Sequence, residues 1–430
     1  MDYNRGIEMD NFNAEISRSQ IFIMRLTVFY LITLCFGYSY GITLFGSINL
    51  RVSDFIAIFL VLFGLFLLFK INNIYIKPFI PILPFLTLEV ILPIIGGVFL
   101  VSIQDISSGF RIVLLYMPIL LYFFFFGTKA LSLFDNMIYK TLQWVVILNL
   151  IYCSIQFLVL YSILPENVLL ENYLSQWAVD DHYRILDGLR ASGFFINSTS
   201  LSIFGLISMA YFLSKYILLS GRKNLYFGLT SLILVIASTS RTAYLVALVF
   251  IVLVILMNVR KSFKLILVGS VAILVFIIVI NNTLGGEEFF SRFIRLDDGL
   301  ESDYSLGLRM EVIWPYVITN LSSYPVGTLI PPTNVFGVVD SGYLTYYAQG
   351  KWMFIISLIF LLILTAYKYL LKFLKRDNWS VIFLIFILIY IFTSMIVSNP
   401  LRNPIVIYFL LYALFISYNS FNRNNRKSLK

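Results

Sequence analysis

The sequence predicts an all-α polytopic membrane protein with about twelve transmembrane helices. Hydrophobic residues make up 60% of the 430 positions, charged residues make up only 12%, and the mean hydropathy is +0.90. Apolar runs of about 18 residues or more recur along the whole chain, and each can cross a hydrocarbon core about 30 Å thick as a helix. Soluble domains carry roughly twice this charged fraction, so the expected solvent is the bilayer.

The apolar runs divide the chain into membrane helices and loops. The predicted spans are 21–45, 52–69, 79–101, 108–128, 138–163, 192–218, 225–239, 242–257, 265–281, 346–367, 380–398 and 404–418. The first run is too long for a signal-peptide core and is expected to be retained. The resulting segments are a cytoplasmic tail (1–20), helices 1–5 (21–163), an external loop (164–191), helices 6–9 (192–281), a large external loop (282–345), helices 10–12 (346–418) and a basic cytoplasmic tail (419–430).

Lysine placement predicts the orientation. With the N-terminus inside, every lysine except Lys351 falls on the cytoplasmic side. This is the positive-inside bias, and it predicts that both termini are cytoplasmic and that the protein lies in the plasma (inner) membrane. The same bias explains the net charge of +9 by topology, so nucleic acid is not an expected partner.

The two external loops are acidic, and the larger one is expected to contain short helices. Loop 282–345 mixes aromatic, aliphatic and charged residues at near-helical spacing in 289–296 and 308–324. Such segments are typical of helices that lie on a membrane surface. Pro325, Pro331 and Pro332 then predict irregular structure before Asp340.

Histidine and cysteine usage excludes several kinds of chemistry. The chain has one histidine, His182, and two cysteines, Cys35 and Cys153, both within predicted spans. These residues cannot form a multi-histidine metal site or a disulfide framework. No metal and no cofactor are expected. His182 lies in a polar loop, where a solvated side chain is the favoured interpretation.

Arginine departs from the lysine pattern. The arginines at or beyond the outer boundary are Arg51, Arg111, Arg184, Arg190, Arg241, Arg292, Arg295, Arg309 and Arg402. A guanidinium is suited to bidentate contact with phosphate or carboxylate, so an anionic ligand in the outer leaflet is expected. The alternative is pairing with loop acids or lipid headgroups, and this is favoured for Arg292 and Arg295, which adjoin Asp297 and Asp298.

Arg190, Arg241 and Arg309 differ from the other outer arginines, because each adjoins a run of small residues or a boundary between a loop and a helix rather than an acidic run. Arg190 precedes Gly193 and a polar cluster that begins at Asn197, where an entering helix can offer N–H groups to an anion. Helix capping by Asn197 or Ser198 is an equally good account of that cluster. Arg241 lies in a turn too short for anything but a tight hairpin, and a guanidinium buried there would need a partner, which favours a functional role. Glu89, in the middle of the third span, is either functional or a neutral acid bonded to a neighbouring helix.

Three segments resemble the superfamily of O-antigen polymerases (Wzy) and O-antigen ligases, polytopic bacterial envelope glycosyltransferases with a GT-C-like architecture. They are Arg190-Ala-Ser-Gly-Phe-Phe-Ile-Asn197-Ser, then Ser238-Thr-Ser-Arg241-Thr-Ala, and then Arg309, Trp314, Pro325 and Gly327 followed by Asp340-Ser-Gly-Tyr343. The resemblance implies a substrate of undecaprenyl diphosphate carrying an oligosaccharide. It also implies inverting, metal-independent transfer of the growing chain to the next lipid-linked unit.

The resemblance also implies roles for individual residues. Arg190, Arg241, Arg309 and Asn197 are expected to bind diphosphate. Asp340 is expected to orient or deprotonate the acceptor hydroxyl, and Arg241 is expected to act as a second catalytic residue. Tyr343 and Arg184 are expected to contact the sugar. A chain-length regulator and a flippase of the same pathway are the implied protein partners, and membrane lipids surround the chain.

One departure favours polymerase over ligase. Ligases of this superfamily typically keep a histidine in the large external loop, and 282–345 contains none. The alternatives are therefore an O-antigen ligase that lacks its expected base, or a flippase or other transporter. Transporters usually carry internal repeats and polar residues at the bilayer midplane. This chain instead concentrates its polar residues in the outer loops.

Overall fold

The computed structural model of the chain describes most of the predicted helices and the end of the large loop. The described residues are 18–36, 41–44, 48–68, 76–99, 112–116, 118, 131–160, 163–165, 190–195, 197–219, 221–257, 308–337, 339–375 and 378–428. Arg184, His182, Arg292, Arg295 and the predicted spans 265–281 and most of 108–128 lie outside them. Predictions for those residues stay predictions.

The N-terminal part contains three helices and one small hairpin. Helices α1 (Arg18–Phe36), α2 (Val52–Leu68) and α3 (Leu83–Phe99) are joined by strands β1 (Gly41–Leu44) and β2 (Ile48–Arg51) and by a 3-10 turn, Lys77–Phe79. The strands pair antiparallel, with Gly41 opposite Arg51. The prediction of one helix over 21–45 is therefore wrong in its last part. Residues 41–44 are extended because the hairpin gives their backbone groups partners outside a helix.

The middle and C-terminal parts are almost wholly helical. The next helices are α4 (Leu131–Leu160), α5 (Ser198–Leu219), α6 (Arg222–Ala237) and α7 (Arg241–Met257). After the undescribed part of the large loop come a π-helical turn (Arg309–Ile313), α8 (Trp314–Asn320), a 3-10 turn (Leu321–Ser323), α9 (Thr333–Phe336) and α10 (Gly342–Gly350). Helices α11 (Trp352–Lys375) and α12 (Trp379–Ser394), a 3-10 turn (Pro400–Arg402) and α13 (Pro404–Ser428) complete the chain.

The helices follow most of the predicted spans, but α4 begins at Leu131 rather than at 138, α11 continues to Lys375 rather than 367, and α13 continues to Ser428 rather than 418. Two other predicted spans differ because the backbone turns. The predicted helix 346–367 is two helices, because Lys351 has a φ of 51° and ends α10 before α11 begins. The predicted helix 192–218 begins only at Ser198, since Gly193 has a φ of +61° within a tight turn. The short helices expected within 308–324 are present.

The described helices fit a helical membrane protein. Among the described residues, three helices are long and apolar enough to cross a membrane, and six shorter apolar helices of 10–17 residues accompany them. Helix α5 is buried along nearly its whole length, whereas only 33% of the apolar window of α11 is buried. A bundle with largely enclosed helices and apolar side chains on its outer face suits a lipid environment. The number of spans and their orientation stay predictions.

Aromatic contacts establish the direction of α12 relative to α5 and α7. Tyr211 of α5 packs edge-on against Trp379, with ring centroids 5.5 Å apart, and Tyr211 lies about 20 Å along α5 from its start. Phe250 of α7 stacks on Phe386 at 4.7 Å, about 13 Å from the start of α7. Since α12 advances from Trp379 to Phe386, it runs toward the level at which α5 and α7 begin.

The bundle therefore has two chemically different ends. At the first, the Ala191 amide donates to the Ala237 carbonyl over 2.9 Å, which joins the approach to α5 to the end of α6. We call this the arginine end and define it by Arg190, Arg241 and the C-terminus of α12. We call the opposite end, defined by Lys215, Lys223 and Lys375, the lysine end.

The lysine end contains an ion pair whose carboxylate also accepts hydrogen bonds from two tyrosines. Lys215 Nζ lies 2.8 Å from Asp135 Oδ2, and the hydroxyls of Tyr211 and Tyr412 both donate to Asp135 Oδ1 over 2.7 Å. The ammonium also lies 4.4 Å from the centre of the Trp379 ring. This pair ties α4, α5 and α13 together, and its hydrogen bonds offset the desolvation of the charges.

Candidate functional site

An ion pair at the arginine end joins two residues that the sequence singled out separately. Arg309 Nε lies 2.9 Å from Asp340 Oδ2, and the two side chains are 24% and 35% exposed. The residues are 31 positions apart, so no local spacing indicates the contact. The pair combines a guanidinium with the carboxylate expected to act as a base, and both remain accessible.

The backbone next to Asp340 is fixed at the end of α12. Ser341 is the N-cap of α10, and its hydroxyl accepts from the Leu344 amide. The Gly342 amide donates to the carbonyls of Met395 (2.8 Å) and Ser398 (3.0 Å), both just beyond α12. Asp340 is therefore held at the arginine end by the backbone, and only its side chain has freedom to move.

Tyr343 has a structural contact of its own. Its hydroxyl donates to the Phe392 carbonyl over 2.8 Å, which attaches α10 to the last turn of α12. The phenol proton is thus already used within the protein. The expected sugar contact of Tyr343 stays a prediction, and it would have to involve the ring face or the oxygen lone pairs.

The turn before α5 is held by two amide side chains from α4. Gln156 Oε1 accepts from the amides of Ser192 (3.1 Å) and Gly193 (2.9 Å), and Asn149 Oδ1 accepts from Phe194 (2.9 Å). Sequence reasoning missed both residues, although a glutamine and an asparagine within an apolar span were an available signal. Because these acceptors occupy the backbone N–H groups of the turn, an anion here would have to bind side chains.

Asn197 caps helix α5. Its Oδ1 accepts from the Ser200 amide over 2.7 Å, the contact of an N-cap residue three positions before the donor. This is the capping alternative that the sequence left open. The contact accounts for the presence of an asparagine at this position, and it leaves any diphosphate contact of Asn197 a prediction.

Arg190 and Arg241 come together at the arginine end. The backbone contact between Ala191 and Ala237 brings the two segments side by side. Arg241 is the first residue of α7 and is exposed. The prediction of a tight turn is confirmed, but the premise of a buried guanidinium is wrong, because Arg241 is the exposed first residue of a helix.

A second polar cluster lies within the bundle near the same end. The Glu89 carboxylate is buried, and Arg402 lies 3.8 Å from it. Arg402 also donates to Gln349 Oε1 over 2.7 Å, and the Tyr346 hydroxyl donates to Asn399 Oδ1 over 3.0 Å. The cluster joins α3, α10 and the turn between α12 and α13. The sequence indicated Glu89 and Arg402 individually, but not that they meet.

Comparison with known proteins identifies no similar protein. The chain matches no family model, no curated protein and no solved structure. Within the described part of the chain, no three His, Cys, Asp or Glu side chains are grouped as metal ligands. Among the described residues, the arginine end thus includes the guanidinium groups of Arg190, Arg241 and Arg309 and the accessible carboxylate of Asp340, with the aromatic and amide groups that hold them.

Proposed function

We propose that this chain is a polymerase of lipid-linked oligosaccharide repeat units, such as those of an O-antigen or a related surface polysaccharide. In this function the growing chain is transferred from undecaprenyl diphosphate to the next lipid-linked unit, on the external face of the plasma membrane. A chain-length regulator and a flippase of the same pathway are the expected protein partners. The motif resemblance is one support for this proposal, and the charges at the arginine end are the other.

The observation that carries the proposal is that Arg190, Arg241, Arg309 and Asp340 lie at the same end of the bundle. Arg309 and Asp340 are in direct contact at 2.9 Å, and the backbone of Gly342 connects them to the end of α12. A diphosphate leaving group develops negative charge as it departs. Fixed guanidinium groups stabilise that charge because they are always ionised and bind phosphate oxygens in pairs.

The proposed reaction uses these groups as follows. The acceptor hydroxyl loses its proton to Asp340, and its oxygen bonds to the anomeric carbon of the donor sugar from the side opposite the diphosphate. The bond between that carbon and the diphosphate oxygen breaks, so the configuration inverts and undecaprenyl diphosphate leaves with the electron pair. Arg190, Arg241 and Arg309 neutralise the leaving group, and Asp340 acts as the general base.

Deleting the gene in its host and examining the surface glycan tests the proposal against its two alternatives. Loss of long chains, with single repeat units still attached to the acceptor, is the expected result. Loss of all attachment would identify an O-antigen ligase instead. Accumulation of the lipid-linked unit on the inner leaflet would identify a flippase.

Arg241→Lys tests the diphosphate clamp within the intact protein. Lysine keeps the charge but loses the planar pair of donors, so chain extension is expected to fall by at least about tenfold, with normal abundance in the membrane. Arg222→Lys is the matched control, because Arg222 is also an exposed first residue of a helix but lies at the lysine end. Glycan length profiles on gels give the readout. If Arg241→Lys makes glycan chains of wild-type length, Arg241 does not bind the diphosphate as proposed.

A further inference from the structure

The Arg309–Asp340 contact gives the expected base a partner before any substrate is present. Only one guanidinium nitrogen, Nε, is in hydrogen-bond contact with the carboxylate, through Oδ2 at 2.9 Å. A carboxylate held by a guanidinium in this way has part of its accepting capacity occupied. The resting arrangement is therefore poorly suited to removing a proton from a hydroxyl.

The geometry of the pair permits exchange of partners. Both side chains are partly exposed, at 24% and 35%, so a ligand can reach either of them. The contact is monodentate, whereas a diphosphate offers several oxygens and more negative charge to the same guanidinium. An exposed ion pair is typically weak, so an anionic ligand of higher charge can compete with it.

The elements that carry the two residues are held together by contacts other than the ion pair. Asp340 precedes α10, whose first turn is attached to α12 through Gly342. Arg309 begins the helical segment that ends at Ser323, and this segment is attached by Lys351, whose Nζ donates to the Leu321 carbonyl over 2.9 Å. Val317 and Leu321 pack with Val339 and Ala348 in a small apolar cluster beneath the pair. Exchange therefore requires side-chain rotation only.

We infer that the Arg309–Asp340 ion pair is an exchange latch: the diphosphate of the donor replaces Asp340 as the partner of Arg309 and so releases the carboxylate to act as a base. This inference rests on the proposed function and adds the regulation of its site. Binding of the donor and activation of the base become one event. Without a donor, the carboxylate stays paired and the acceptor hydroxyl keeps its proton.

The latch predicts an unusual effect of removing the expected base. In Asp340→Asn the guanidinium no longer has a competing carboxylate, so diphosphate is expected to bind about two- to five-fold more tightly than to the wild type, while turnover is lost. In Arg309→Gln binding is expected to weaken. Glu311→Gln is the matched control, since Glu311 is an exposed acid in the same helical segment and its loss is expected to leave the affinity unchanged.

The measurement is titration of the purified full-length protein with inorganic diphosphate and with farnesyl diphosphate. Tightening is expected with both probes, and higher absolute affinity for the prenyl probe identifies a lipid diphosphate rather than free diphosphate as the ligand. Unchanged or weaker binding in Asp340→Asn overturns the latch and leaves an ordinary structural ion pair. Asp340→Ser is the second variant, which gives the same decision if the asparagine variant does not fold.

The outcomes separate the latch from the proposed function. Tightening in Asp340→Asn together with normal surface glycan in the deletion strain would leave a diphosphate exchange site in a protein that is not the polymerase. Shortened glycan in the deletion strain without tightening would leave the polymerase and remove the latch.

Discussion

Gly193 is the residue whose backbone most directly shapes the approach to the arginine end. Its φ of +61° lies in the left-handed region, and a Cβ there would clash with Asn149 Oδ1. Asn149 is the side chain that accepts from the Phe194 amide. A side chain at Gly193 would thus strain the backbone and displace the acceptor that holds the turn.

Gly193→Ala is expected to lower the free energy of unfolding by about 2 kcal/mol or more, from left-handed strain plus the clash. Gly337→Ala is the control, because Gly337 has a φ of +78° but nothing within 4 Å of the added Cβ, so about 1 kcal/mol is expected from strain alone. Thermal unfolding of the purified proteins in detergent gives both values. Equal losses would show that the contact with Asn149 contributes nothing.

For individual residues, the sequence indicated which side chains carry charge in unusual places, but not which of them pair. Arg309, Asp340, Glu89 and Arg402 all stand out as ionisable residues within or beside apolar segments. The contacts Arg309–Asp340 and Glu89–Arg402 span 31 and 313 positions, respectively, so they depend on helix packing rather than on local spacing. Arg241 is a different case. The turn that contains it was predictable from the sequence, but the exposure of its side chain was not.

Lys351 and Thr239 are left-handed residues that are not glycine, and each lies in a turn between two long helices or next to one. Lys351 separates α10 from α11 with a φ of 51°, and its ammonium is held by the Leu321 carbonyl and lies 5.4 Å from the centre of the Tyr347 ring. This is the one lysine that the predicted topology leaves outside, and these contacts explain its presence at the arginine end. Hydropathy could not predict the break, because the sequence on both sides of Lys351 is apolar enough to read as one helix.

The turn between α6 and α7 contains the second such residue, Thr239. Its φ is 49°, and its buried hydroxyl has no hydrogen-bond partner among the described residues. A β-branched residue is poorly suited to this conformation, and strained backbone of this kind is often found beside functional residues. Here the neighbouring residue is Arg241, which begins α7 two positions later.

Thr239→Gly is expected to be more stable than Thr230→Gly by at least about 1 kcal/mol, because glycine removes the strain at the turn but weakens the interior of α6. Thr230 is the matched position because it lies within α6, the helix that precedes the turn. It has an ordinary helical contact, since its hydroxyl donates to the Tyr226 carbonyl. Chemical or thermal unfolding in detergent compares the two. Equal stabilities would show that Thr239 is not strained in the folded protein.

On the scale of the whole molecule, the separation of basic residues into two ends links the fold to the proposed chemistry. Composition and hydropathy were enough to predict a helical membrane protein, because the sum of side-chain hydrophobicities determines whether a chain is stable in a bilayer or in water. The order of the helices around α5 was not predictable, since buried helices that are apolar on every side carry no periodicity to indicate their neighbours. The aromatic contacts of Tyr211 and Phe250 show that α12 packs against both α5 and α7.

Orientation is the premise on which an external active site depends, and single-cysteine labelling tests it. With the buried Cys35 and Cys153 replaced by alanine, a cysteine at Ser323 reports on the arginine end and one at Lys223 on the lysine end, both being exposed positions. A membrane-impermeant maleimide applied to intact cells with a permeable outer layer is expected to label Ser323→Cys. It is expected to label Lys223→Cys only after the plasma membrane is permeabilised, because lysines are concentrated on the cytoplasmic side of membrane proteins. The reverse pattern would put Arg309 and Asp340 in the cytoplasm, where the proposed transfer on the outer leaflet has no substrate.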